Sequence, residues 1–313
     1  MKLWQGLLIR LATSKVLKRG LQNTRATSQL ASRFVGGRDI FQAMATEVDL
    51  AQQGKTVSHY FLGEYITDEA LLDRNVAAIG GIIEQAGKNG ASLHLSIDPT
   101  QIGYGFDDEK GRANGLGVAE AFRGLPEGLQ VALMLDMEDA SFVDRTLALR
   151  RHLVANEIPI AQTLQAYLKR TRRDLETILP EGPWVRLVKG AFVGTAEEAY
   201  KSREAIDENY LELAEVMLSD GAKQAGLYPA FGTHDEKMIA LIEEMIKANG
   251  WGRDDYEFEM LYGVRPELQN ELVRRGHRVR LYLPHGEDWW PYAVRRVGES
   301  PRNAKLLLRA LVG

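Results

Sequence analysis

There is no cysteine among the 313 residues of this chain. That excludes disulfides, iron–sulfur clusters and thiolate zinc sites, and it fits a reducing, cytoplasmic setting. No apolar run approaches the roughly 20 residues of a membrane-spanning helix. The segment 3–9 (Leu-Trp-Gln-Gly-Leu-Leu-Ile) is short and lacks a small-residue cleavage site, so it reads as the first turns of an amphipathic helix rather than a signal peptide. Signature motifs are missing too: there is no P-loop, no His-Glu-x-x-His and no Gly-x-Ser-x-Gly. The nearest approach to a dinucleotide fingerprint, Gly115-Leu116-Gly117-Val118-Ala119-Glu120, lacks its third glycine and does not leave a strand; it is read as a helix start. Basic and aromatic residues are not interleaved, which gives no support to a nucleic-acid partner.

What is present is a 45% hydrophobic chain of modest net charge, −4, long enough for one large domain or two. The charge is unevenly spread. Residues 1–40 carry eight basic side chains against Asp39 alone, a local +7, which leaves −11 for the remainder. A basic arm over residues 1–38 can cap an acidic body or lie on anionic lipid, so the expected location is cytoplasmic, with peripheral contact on the inner face of the cell membrane.

From residue 39 to 313 one pattern repeats. β-like runs fall at 56–62, 93–97, 130–135, 159–164, 185–188, 228–231, 256–261 and 278–283. Between them lie stretches with apolar residues at helical spacing, among them 69–86, 141–155, 167–178, 204–218 and 237–248. Eight β/α units in this length predict an α/β fold of the (β/α)8 barrel type, preceded by N-terminal helices.

Chemistry in such barrels sits at the C-terminal ends of the strands. Here those ends are polar: Asp98 after strand 2, Asp136-Met137-Glu138-Asp139 after strand 3, and Gln165 at strand 4. Lys189-Gly190 follows strand 5 and Thr233-His234-Asp235 strand 6; Glu259 lies in strand 7 and Tyr282 in strand 8. Arg186, inside strand 5, needs a partner; a flavin edge would serve, and so would an ion pair with Glu259 or Asp136. After strand 8 comes Tyr292-Ala293-Val294-Arg295-Arg296-Val297-Gly298-Glu299, whose adjacent guanidiniums make a fork suited to a carboxylate. Arg295 and Glu299 also stand at i,i+4, the spacing of an ordinary solvated helix pair. Lys189 leaves another chemistry open, that of a Schiff-base amine.

Taken in order, Leu62-Gly63-Glu64, Asp136-Met137-Glu138-Asp139, Gln165-Ala166-Tyr167, Arg186-Leu187-Val188-Lys189-Gly190-Ala191, Thr233-His234-Asp235 and 257–263 (Glu-Phe-Glu-Met-Leu-Tyr-Gly) resemble the proline dehydrogenase family, as does the closing Tyr-x-x-Arg-Arg-x-x-Glu. The likeness runs from about residue 38 onward and is nearest to the monofunctional bacterial members. It implies a distorted (β/α)8 barrel binding FAD without a covalent link. It also implies oxidation of L-proline to 1-pyrroline-5-carboxylate, with electrons passed to a quinone. On this resemblance Arg295 and Arg296 grip the substrate carboxylate, Glu299 orients them, Tyr282 walls the pocket and Leu261 packs on the ring. Glu64 closes the site on an arginine of that motif, and Asp136 anchors the substrate-side network. Gln165, Arg186, Lys189, Gly190, Ala191, Thr233 and His234 hold the flavin.

Four positions depart from the family pattern. Asp98 stands where a lysine is usual, Tyr60 where an aspartate is usual, Glu259 in place of glutamine and Phe192 in place of tyrosine. A cation has become an anion and its partner anion a phenol. The expected substrate is therefore proline or a hydroxylated or N-alkylated cyclic analogue; a flavin-binding relative without catalysis is the remaining alternative.

Overall fold

The structure is a computed structural model describing residues 33–63, 66, 68–192 and 194–298. Eight parallel strands close into one barrel: β1 (Thr56–Phe61), β2 (Leu93–Ile97), β3 (Val131–Leu135), β4 (Ile160–Gln165), β5 (Trp184–Val188), β6 (Tyr228–Gly232), β7 (Glu257–Leu261) and β8 (Val279–His285). Each pairs with the next in sequence, and β8 closes on β1 from Thr56↔Arg280 to Phe61↔His285. All eight lie where the alternation of the sequence predicts them. The helices are α1 (Ile40–Ala51), α2 (Glu69–Asn89), α3 (Asp108–Arg123), α4 (Val143–Val154), α5 (Thr171–Ile178), α6 (Arg203–Met217), α7 (Asp220–Ala225), α8 (Glu236–Ala248), α9 (Pro266–Arg274) and α10 (Trp290–Gly298).

Two helix starts differ from the sequence reading: the stretch expected over 167–178 becomes helical only at Thr171, after a turn, and the second lies in α3. The glycine-rich run from Gly115 to Glu120 does not start a helix but lies inside α3, which begins at Asp108. Asp107 caps it by accepting the Lys110 N–H at 2.7 Å, and Asp108 and Glu109 supply an acidic first turn. These satisfy and complement the exposed N–H groups seven residues upstream of Gly115.

The strands bury both faces. Outward-pointing Leu95, Leu133, Val185, Leu187, Phe231, Phe258, Leu281 and Leu283 are sealed under the helices. Each such side chain contributes about 1.5–3 kcal/mol by leaving water. The inward face is polar instead, carrying Ser58, Ser96, Thr163, Arg186, Glu257 and Glu259, all buried. Toward the N-terminal end of the barrel it is plugged. Arg280 pairs with Glu257 at 2.7 Å and lies over the Trp184 ring at 5.1 Å, and Trp184 packs against His94 and Tyr228 with ring centroids 4.8 Å apart. The opposite end is where a ligand can enter.

The helix ring is distorted at its seam. α1, which precedes β1, packs against both β1 and β8, the place an eighth helix would take. The chain leading into it is tied to β8: Phe34 and Val35 are buried, and the Gly36 N–H donates to the Pro284 carbonyl at 2.8 Å. Thr46 Oγ1 donates back to the Gly36 carbonyl at 2.6 Å, and Glu47 of α1 meets His59 of β1 at 3.0 Å. With that slot filled, α10 is free to turn over the mouth of the barrel. Trp289, Trp290, Tyr292 and Ala293 are buried there, and Arg296 comes near enough to His234, beyond β6, to perturb it. No helix among the described residues is long and apolar enough to cross a membrane.

Candidate active site

Period-two alternation sends Ser58 and Tyr60 of β1, Ser96 of β2, Thr163 and Gln165 of β4, Arg186 of β5, Glu259 of β7 and Tyr282 of β8 to the barrel interior. Asp136, the first residue after β3, is their meeting point. Its Oδ1 accepts from Arg186 Nη1 at 2.6 Å and from Thr163 Oγ1 at 2.9 Å, and its Oδ2 accepts from Tyr282 OH at 2.9 Å. Arg186 donates onward from Nε to Glu259 Oε2 at 2.6 Å, from Nη1 to Ser96 Oγ at 3.1 Å and from Nη2 to Ser58 Oγ at 3.3 Å. Its guanidinium also lies 5.4 Å from the centre of the Tyr282 ring. The partner that the sequence requires for Arg186 is thus both of the carboxylates considered for it.

The charges here are set by burial and by each other. Burial works against the Arg186 cation, but Glu259 and Asp136 more than offset it and hold the group firmly protonated. Burial drives Glu259 upward, Arg186 pulls it back, and the carboxyl settles at about 7. The Tyr282 phenol is pushed well above its usual range by burial and then by Asp136. Ser58, Ser96 and Thr163, absent from the sequence-derived candidates, belong to this network. The alternation that brings in Tyr60, Arg186 and Gln165 would also have found them.

The two departures beside this network meet each other. Tyr60 OH donates to Asp98 Oδ2, and the Tyr60 and Tyr282 rings lie 5.0 Å apart and tilted by 32°. The contact is a phenol–carboxylate hydrogen bond that ties β1 to the end of β2. The turn below it is held separately: Gln101 Oε1 accepts the Asp98 N–H at 2.9 Å, and Glu138 accepts from Thr100 N at 2.9 Å and Thr100 Oγ1 at 2.8 Å. Burial raises the Glu138 carboxyl despite those two donors.

The β4–β6 side of the mouth is different in character. Gln165 is 3% exposed; its Nε2 donates to the Met137 carbonyl at 3.0 Å, which fixes the amide and leaves Oε1 buried without a partner. On the neighbouring strands the inward positions are Val188 and Gly232. A Cβ on Gly232 would stand 2.7 Å from the Val188 side chain, so a larger residue is not accommodated. Gly190, at φ +96°, lets the chain turn against the Tyr167 ring, which a Cβ would meet at 2.3 Å. Ala191 and Phe192 follow on the surface. Lys189 leaves the strand on the outer side, where its ammonium pairs with Asp207 of α6 and with Asp235 at 3.3 Å. A Schiff-base amine needs its lone pair aimed at a substrate, so this ion-paired placement speaks against that chemistry.

Thr233 is buried and donates its N–H to the Glu259 carbonyl at 3.2 Å, while its hydroxyl accepts the Asp235 N–H at 3.2 Å. His234 Nε2 accepts the Leu261 N–H at 2.9 Å. A backbone N–H can only donate, so the ring proton of neutral His234 sits on Nδ1. Burial, then the nearby Arg296 and Arg265, lower this imidazole to about 4. The half-buried Leu261 is held from both sides, since its carbonyl accepts from Gln269 Nε2 at 3.2 Å. Of the double-arginine motif, Arg296 is half-buried beside the Tyr292 ring, 5.1 Å from its centre. Arg295 is described only in its backbone within α10, and Glu64 and Glu299 lie outside the described residues.

Comparison with known proteins agrees with this geometry. The proline dehydrogenase domain family matches residues 43–308. A proline dehydrogenase of Deinococcus radiodurans is 35% identical over 287 residues, covering 90% of each chain. Proline dehydrogenase 2 of Bacillus subtilis is 32% identical over 282 residues, again covering 90% of each. Among solved structures, proline utilization A from Bdellovibrio bacteriovorus, inactivated by N-propargylglycine, superimposes with a TM-score of 0.79 at 21% identity over 94% of this chain. The present chain spans only 36% of that longer protein. The barrel is common to both, and the sequence likeness to the monofunctional bacterial proteins is the closer one. A family domain across most of the chain, relatives above 30% identity and a closed eight-stranded barrel with a polar mouth make this an oxidoreductase, and the chain belongs to the proline dehydrogenase family.

Proposed function

We propose that the protein is an FAD-dependent dehydrogenase oxidising L-proline to 1-pyrroline-5-carboxylate, with a quinone as the final electron acceptor. The observation that carries this is the division of the mouth. One side is floored by small inward residues, Val188 and Gly232, with an unpartnered acceptor at Gln165 Oε1; the other is walled by Tyr60, Asp98, Asp136 and Tyr282. A flat heterocycle with an N–H donor fits the first side, and a small ring fits between it and the second. The residues supporting the flavin on this reading are Gln165, Arg186, Lys189, Gly190, Ala191, Thr233 and His234. Bound there, the flavin supplies a two-electron acceptor for a hydride from the ring carbon next to nitrogen.

The protein's own side chains do the rest. Arg295 and Arg296, oriented by Glu299, bind the carboxylate; Leu261 and Tyr282 confine the ring; Asp136 fixes Arg186 and Tyr282 in place. Glu64 pairs with an arginine of α10 to shut water out. The basic arm within residues 1–38 supplies a weak contact with anionic lipid, as a membrane quinone acceptor would require.

A second reading shares the cofactor but takes a hydroxylated or N-alkylated cyclic analogue, favoured by the Tyr60–Asp98 pair. Both are tested on the purified protein. A yellow protein whose flavin band bleaches anaerobically on adding proline is expected. Bleaching by an analogue but not by proline would select the second reading. A colourless protein that takes up no added FAD would overturn both.

A further inference from the structure

We propose that Glu259 is the redox-linked proton site of the barrel: it takes up a proton when electrons arrive on the bound flavin and gives that proton up when they leave. This rests on the reading of the mouth as a flavin site, and adds where the second proton of the reaction is kept.

Glu259 stands in register with Gly232, and Gly232 with Val188, so its side chain faces the interior from the strand next to the flavin floor. Gly232 brings no side chain of its own, which leaves the Glu259 carboxyl as the next inward group along that layer. Its Oε2 accepts from Arg186 Nε at 2.6 Å, while Oε1 is buried without a donor among the described residues. The charge of this carboxylate is thus satisfied from one side only.

Arg186 serves two carboxylates, Asp136 and Glu259, each at 2.6 Å, so the three groups carry one excess negative charge when both acids are ionised. The neighbouring Glu257 is already matched by Arg280 at 2.7 Å. A hydride delivered to the flavin brings two electrons and one proton, which adds a further negative charge to the same dry interior. Glu259 is poised to cancel it. Burial has lifted this carboxyl to about 7 against the pull of Arg186 and Arg280, and Glu257 adds to the lift. The other ionisable neighbours are held neutral. Burial raises the Tyr282 phenol together with Asp136, raises the Tyr210 phenol of α6 together with Glu259, and lowers the His94 imidazole.

Protons balance on this assignment. Oxidation of L-proline to 1-pyrroline-5-carboxylate removes a hydride from carbon and a proton from nitrogen. The nitrogen proton is released, and one proton is bound at Glu259. When two electrons pass to the quinone, the proton delivered with the hydride and the Glu259 proton go with them, completing the quinol.

A permanent counter-ion of Arg186, ionised in both redox states, is the alternative role for Glu259. Spectroelectrochemical titration of the substrate-free holoenzyme from about pH 6 to about pH 9 separates the two, with Glu259→Gln as the variant. A permanent counter-ion shifts the flavin midpoint potential by the same amount at every pH, giving parallel lines. A redox-linked proton makes the potential of the unaltered protein fall more steeply than that of the variant. The excess should be about 30 mV per pH unit, one tenfold step of a two-electron couple, so the gap widens as pH rises. Should the Gln variant fail to fold, the unaltered protein still decides. Its steep slope must then appear with a constant absorption spectrum of the reduced flavin, since protonation of the flavin itself would alter that spectrum. Parallel lines, or a steep slope that tracks a spectral change, would overturn the inference alone. A protein that takes up no flavin would overturn the underlying reading and this inference with it.

Discussion

Arg186 shows how one residue can organise a barrel interior. A buried guanidinium without partners is not tolerated, so its presence mid-strand already implied carboxylates nearby. The sequence offered both Asp136 and Glu259, and both are used. Removing the cation as Arg186→Met should leave two uncompensated carboxylates and cost about 3–5 kcal/mol in denaturant unfolding. Adding Glu259→Gln should recover part of that loss, because one of the orphaned charges is gone. Single and double variants with equal stability would show that no such coupling exists.

Glu259 also has a pH signature. Its folded carboxyl lies at about 7, above the ordinary value of 4.5, so between those values the native state keeps a proton that the unfolded chain releases. Its contribution to stability is therefore complete below about 4.5 and is lost as pH rises through 7, with a slope of at most about 1.4 kcal/mol per pH unit. Buried His234 and His285, lowered to about 4 and 3, act in the opposite sense: stability is lost as pH falls below 6.5 toward those values. Comparing the protein with Glu259→Gln across pH 4.5–7 cancels the histidines. The gap in unfolding free energy should narrow or reverse as pH rises, and a constant gap would contradict the shift.

At the scale of elements, period and punctuation carried most of the information. All eight strands were legible because each is a short apolar or alternating run between helical stretches, and residues such as Leu187 and Arg186 already face opposite ways by alternation. Three features were not legible. The start of α3 was missed because a glycine pair attracts attention while a capping aspartate does not. The use of α1 as the eighth helix depends on packing between residues over 200 positions apart, which no local pattern encodes. The Tyr60–Asp98 bond joins two strands, and only the comparison of two unusual positions hinted at it.

One glycine fixes that seam. Gly263 has φ +74°, and a Cβ there would stand 1.7 Å from the Arg33 carbonyl oxygen, a backbone atom with no rotamer to escape into. Gly226 has a similar φ of +82° with open space around it. Gly226→Ala should cost about 1 kcal/mol, the strain of the left-handed conformation alone. Gly263→Ala should cost clearly more and detach the segment around Phe34 from the barrel, seen as faster proteolysis before residue 40. Equal costs in urea unfolding would mean that the Arg33 contact is not made in solution.

At the scale of the whole molecule, the site joins parts of the chain that the barrel otherwise keeps separate. The β1–β3 wall belongs to the first half of the chain, whereas α10 follows the last strand and reaches back to the β6 rim. A ligand held between the two restrains both at once. A ligand bound at 100 times its dissociation constant adds about 2.7 kcal/mol to the folded state, provided it binds only that state. For a chain of 313 residues, unfolding entropy of about 2.1 cal/mol/K per residue turns this into a rise of about 4 °C in Tm. Global stabilisation alone would slow amide exchange only where exchange requires complete unfolding. A ligand spanning the mouth should in addition slow local exchange in α10 and at the ends of β2 and β3, in parallel and at the same ligand concentration. Hydrogen exchange on the reduced holoenzyme with and without proline reads this directly. Protection confined to α10 would place the ligand on the arginine side alone, and protection confined to β2 and β3 would remove the double arginine from the site.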